Sequence, residues 1–103
     1  MIKFKVSEIA RDDITNIMLY LALNNAQSAA DRLRSKLNSE FENLKLFPLS
    51  GTKIKSKRFR RYRFYVVERY YIFYTYENDT VAIERVLHTA RDYKDILDTE
   101  LSI

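Results

Sequence analysis

Cysteine is absent from the 103 residues, which removes both a disulfide frame and thiolate metal ligation. Glycine and proline occur once each, at Gly51 and Pro48. A glycine-rich phosphate loop is therefore excluded, and so is a flexible linker dividing the chain. The single histidine, His88, rules out a two-histidine metal site. No serine or cysteine has the partners of a nucleophilic triad. There is no run of about 18 apolar residues, so no transmembrane helix is expected. The alternation from Ile2 to Val6 begins too early and is too strict for a secretory signal. A cytoplasmic protein with no metal, no cofactor and no membrane partner is expected.

What is present suits one domain. With 47% apolar and 31% charged residues the chain can bury a core and stay in solution. The net charge is +4, and its placement says more than its size. Lys53, Lys55, Lys57, Arg58, Arg60, Arg61, Arg63 and Arg69 face one acid, Glu68, over seventeen residues. In the first half, Asp12, Asp13, Asp31, Glu40 and Glu42 offset the bases. A one-sided basic segment calls for an anionic partner, either nucleic acid or an acidic protein.

Periodicity gives the elements. Ile2, Phe4 and Val6 alternate with lysines as in a half-buried strand. Ser7 can cap a helix over residues 8–23, whose apolar residues Ile14, Ile17, Met18 and Leu21 recur at helical spacing. After a break at Asn24-Asn25, Ala26, Ala30, Leu33, Leu37, Phe41 and Leu44 form the stripe of a second helix, which Pro48 stops near Phe47. So short a join predicts an antiparallel helical hairpin. Residues 48–57 read as a loop. The period then becomes two over residues 61–67, 70–76 and 81–88, with turns at Glu68-Arg69 and Asn78-Asp79, which predicts an antiparallel meander. Tyr93, Ile96 and Leu97 suggest a short helix from Arg91 to Leu97. The expected class is α+β, in the order β-α-α-β-β-β(-α). The hairpin packs on one face of a mostly antiparallel four-stranded sheet in a single domain, 1–103. Seven of the eight tyrosines lie between residues 62 and 93, which predicts an exposed aromatic second face.

Each candidate site has a functional and a structural reading. On the second strand Arg61 and Arg63 alternate with Tyr62 and Phe64. Such a surface can hold phosphates and stack bases, or the charges can protect an edge strand. His88 can serve as general acid or base, with Arg85 or Arg91 stabilising negative charge and Tyr93 supplying a proton, or it can close a strand through a backbone hydrogen bond. Glu84 and Arg85 should alternate faces, one of them toward the helices or an edge. Asp92 suits a helix cap.

The element order, Phe47-Pro48 followed by Ser50-Gly51, and above all the stretch from Tyr70 to Asp92 ending in Arg85-Val86-Leu87-His88 and Arg91-Asp92, resemble the RelE/ParE superfamily of type II toxins. The resemblance implies a toxin bound by a cognate antitoxin whose C-terminal segment wraps it in a hetero-oligomer. RelE-type members cleave mRNA on the ribosome. In that case His88, Arg91 and Tyr93 would be catalytic. ParE-type members poison DNA gyrase by binding, with Arg58, Arg60, Arg61, Arg63, Arg69 and Arg85 as candidate target or nucleic-acid contacts. The arginine that RelE-type enzymes carry before an aliphatic-aliphatic-tyrosine run falls here at Tyr71, which cannot supply a fixed positive charge. The lysines of their second strand fall near Tyr62 and Phe64. The chain is thus closer to the ParE branch. A binding module of the same fold without toxicity is the third alternative.

Overall fold

The computed structural model describes residues 2–93. The elements are β1 (Lys3–Val6), α1 (Glu8–Leu23), α2 (Gln27–Leu46), β2 (Thr52–Lys53), β3 (Tyr62–Val67), β4 (Tyr70–Glu77) and β5 (Thr80–His88). They form one sheet in the order β1-β5-β4-β3-β2, with β1 parallel to β5 and every other pair antiparallel. The expected α+β arrangement holds, but the sheet has five strands rather than four. The added strand, Thr52–Lys53, pairs with Phe64 and Arg63. Two residues are too few to show a period of two, so this stretch read as loop. Of the helix expected from Arg91 to Leu97, the part after Tyr93 lies outside the described residues.

Local chemistry fixes the joins. Ser7 caps α1 by accepting a hydrogen bond from the Ala10 N–H at 3.0 Å, and its hydroxyl donates to the Glu84 carbonyl at 3.0 Å. One side chain thereby ties the helix start to the sheet. Asn25 (φ 55°) reverses the chain between the helices, and Asn78 and Asp79 (φ 52° and 55°) make the β4–β5 turn. Two consecutive residues at positive φ match the twist of the strands they join. Glu68 does the same work at φ 56° in the β3–β4 turn. That conformation costs an ordinary residue about 1–2 kcal/mol. Arg32 and Lys36 of α2 hold the Glu68 carboxylate there at 2.8 and 3.0 Å.

A bulge divides β5. Phe73 pairs with Arg85 and Tyr74 with Ile83, so Glu84 is an extra residue. Before it, Val81 and Ile83 face the helices; after it, Val86 takes that side and Leu87 the other. Of Glu84 and Arg85, it is Arg85 that turns toward the helices, as one of the two was expected to. Arg85 reaches Asp13 of α1 through two hydrogen bonds, 2.8 and 3.0 Å, and Glu84 accepts from the Thr75 hydroxyl at 3.2 Å. Beyond Ile83, β1 no longer pairs with β5. Asp13 stands in for the lost neighbour by accepting the Val86 N–H at 2.9 Å.

Both faces of the sheet are packed. On one, Ala10, Leu33, Leu37 and Leu44 of the helices meet Val67, Ile72, Tyr74, Val81, Ile83 and Val86. On the other, Ile54, Phe59, Tyr62, Phe73 and Leu87 form a second core, with Phe64, Tyr71 and Tyr93 against it. The expected open aromatic face is thus largely closed. Residues 54–61 fold over it, and the tyrosines serve as packing on both sides.

Candidate functional site

Two surfaces lie at opposite ends of β3, roughly 20 Å apart for a six-residue strand. At its end is a cleft of about 750 Å³, between the helical hairpin and the tip of the sheet. Asn16, Ile17, Tyr20 and Leu21 of α1 and Ala29, Arg32 and Leu33 of α2 form one wall. The turn Glu68, Arg69 and Tyr70 and the end of β5, Val86 to His88, form the other, with Arg91 beyond. Its floor is apolar and its rim charged, a composition suited to binding. Tyr20, 64% exposed, stands on the rim.

The cleft's charges are largely committed to one another. Hydrogen bonds from Lys36 and then Arg32 hold the Glu68 carboxyl below the usual carboxylate range. Burial raises the Tyr70 hydroxyl above its ordinary value, so this ring is a neutral wall. His88 lies opposite Tyr70 in the ladder and meets it edge to face at 5.4 Å. Its Nδ1 accepts the Ala90 N–H at 3.0 Å, which leaves the proton on Nε2. The Arg91 N–H donates to the His88 carbonyl at 3.0 Å, and the Thr89 N–H to the Arg69 carbonyl at 2.9 Å. These are the bonds of a histidine closing a strand.

At the start of β3 is the basic loop. Ile54 and Phe59, the only apolar residues between Gly51 and Tyr62, are buried in the second core. The loop closes through the Ile54 N–H to the Tyr62 carbonyl at 3.2 Å and the Tyr62 N–H to the Phe59 carbonyl at 3.0 Å. With two anchors inward, Lys53, Lys55, Lys57, Arg58, Arg60 and Arg61 are left exposed. A shallow depression of about 560 Å³ is lined by Thr52, Lys53, Ile54, Lys55, Ser56, Lys57 and Arg60.

The candidate residues from the sequence therefore separate into five places. Arg58, Arg60 and Arg61 share the loop, and Arg61 forms an ion pair with Glu77 at 3.1 Å. Arg63 donates to the Leu49 and Gly51 carbonyls at 3.2 and 3.1 Å and shapes the 48–51 segment. Arg69 and Arg91 border the cleft with His88. Arg85 is no surface contact: its side chain is 7% exposed and lies against Asp13 of α1. Nor do the three catalytic candidates converge. Tyr93 packs on Tyr71 and Phe73, 5.3 and 5.1 Å between ring centres, on the sheet face opposite the helices. Tyr71 itself is half-buried in that cluster. Tyr62 is inside as well, its hydroxyl raised by burial, and Phe64 packs beside it. These rings are not offered to bases. Among the described residues, no group of His, Asp and Glu could hold a metal ion.

With this geometry in hand, comparison with known proteins is specific. Residues 4–93 match the ParE toxin family, toxins of the type II toxin–antitoxin system parDE. The chain belongs to that family and is by membership a type II toxin. Its fold is also that of a solved chain of the chromosomal ParDE TA system from P. aeruginosa, with a TM-score of 0.71 at 14% identity, covering 85% of this chain and 96% of that one. Curated protein sequences give no significant match. No helix among the described residues is long and apolar enough to cross a membrane.

Proposed function

We propose that this toxin arrests growth by binding and poisoning DNA gyrase, and that it does not cleave RNA. The observation that carries this reading is the division of the acid–base candidates between two sheet faces. Cleavage of a phosphodiester needs a base and an acid within hydrogen-bond reach of the same reacting group. Here His88 and Arg91 flank the cleft, and Tyr93 packs on the other side with Tyr71. A cleft with an apolar floor and a charged rim is suited to holding a protein partner. The toxin is held inactive by a cognate antitoxin, whose acidic-to-amphipathic C-terminal segment folds as it wraps the toxin. With gyrase as target, it acts in the cytoplasm.

Induction without the antitoxin, followed by thymidine and methionine incorporation over the first minutes, tests the reading. DNA synthesis is expected to fall first, and His88→Ala to keep its toxicity. A first fall in protein synthesis, with His88→Ala losing about 10²-fold in activity, would instead establish the mRNA-cleaving alternative. No growth effect would point to a non-toxic binding module.

A further inference from the structure

We propose that residues 53–61 bind the phosphate backbone of duplex DNA without regard to base sequence. Lys53, Lys55, Lys57 and Arg60 surround one shallow depression together with the hydroxyls of Thr52 and Ser56. Among the described residues, none of these four cations has a carboxylate within ion-pair distance. The cleft shows the contrast, since there Glu68 already holds Arg32 and Lys36. Lysines two residues apart stand at most ~7 Å apart along the chain, a spacing suited to successive phosphates on one strand. The loop is also pre-shaped: Ile54 and Phe59 anchor it in the second core, so little order has to be gained on binding.

Two features choose among polyanions. Single-stranded nucleic acid is held by stacking bases on exposed rings, but Phe59 and Tyr62, the rings nearest the loop, are buried. Protein interfaces place apolar side chains at a dry centre, and no exposed residue from 52 to 61 is apolar. What remains is cations and hydroxyls, the groups that position a protein on a duplex without reading sequence. The inference stands apart from the gyrase reading. Together they imply that the toxin meets its target on DNA.

The test is fluorescence anisotropy of the purified protein with a 20-base-pair duplex between 50 and 200 mM salt. Four neutralised phosphates predict a slope of about −3.6 in log K against log salt, or about 150-fold weaker binding across that range. The variant K53Q/K55Q/K57Q/R60Q, verified as folded by its melting curve, should bring the slope close to zero. The control K3Q/K5Q, which removes two charges at the opposite sheet edge, should keep it. Equal duplex binding by the fourfold variant, or none by the parent, overturns the proposal. Tighter binding of single-stranded RNA, or of polyglutamate, also overturns it, in favour of an RNA or an acidic protein. Supercoiling assays with the same proteins separate the two ideas, because DNA binding without gyrase inhibition would sink only the gyrase reading.

Discussion

The two ends of β3 are built from the same residue types and use them in opposite ways. At its start, residues 53–61 hold cations outward on two apolar anchors, with Glu77 as a counter-charge on Arg61. At its end, charges are consumed by structure: Glu68 takes Arg32 and Lys36, and Asp13 nearby takes Arg85. The difference lies in reach. A cation that finds a carboxylate on a packed helix becomes part of the fold, and one facing only solvent remains available to a ligand. A count of basic residues in the sequence cannot separate the two.

The sharpest way to break this contrast is to remove Asp13. Asp13→Ala strands the Arg85 guanidinium and the Val86 N–H, and denaturant unfolding should show a loss of about 3–5 kcal/mol. A loss under about 1 kcal/mol would mean the cleft's charges are as dispensable as surface pairs. Next is the joint between α2 and β2. The buried Tyr74 hydroxyl donates to the Pro48 carbonyl at 3.0 Å and accepts the Gly51 N–H at 2.8 Å. Tyr74→Phe should cost about 1–3 kcal/mol by leaving both groups unmet. Gly51→Ala should also destabilise, because the added methyl would overlap the Tyr74 ring and hydroxyl. Gly51 has no positive φ, so it is needed for space rather than for backbone freedom.

Smaller effects sharpen the comparison. Glu68→Gly removes both ion pairs but suits positive φ, so it should unfold more nearly like the parent than Glu68→Ala, which loses the pairs and keeps the strain. The depressed Glu68 pKa adds a pH signature. Its contribution is present above the ordinary carboxylate range and is lost as pH falls through the lower folded value. Melting curves of the parent and Glu68→Gln should therefore converge toward strongly acidic pH. Least of all, Lys55→Gln in the basic loop should leave stability within about 0.5 kcal/mol. A larger loss would show the loop to be structural after all.

The fold was legible where sequence signals are periodic or local. The helical stripe ending at Pro48, the Ser7 cap and the Asn78-Asp79 turn all appear as their residues imply. What stayed hidden depends on contacts distant in sequence. Arg85 looks like a surface base until Asp13, 72 residues away, is brought to it. Tyr93 sits five positions from His88 yet lies across the sheet from it, and Ile54 and Phe59 stand among basic residues with no period to mark them. The isolation of those two apolar residues in a charged run was the one available hint of a second core.

The single extra residue at Glu84 acts as a change of phase in a two-beat pattern. Upstream of it, odd-numbered positions of β5 look toward the helices; downstream, even-numbered ones do. Were β5 to run regularly with that residue kept in the ladder, Leu87, not Val86, would turn inward, and the position of His88 would leave the cleft. A relative lacking the bulge could thus keep a histidine in the aligned column and present it to the opposite side of the molecule. For this strand, matching letters transfers chemistry only if the phase is matched first.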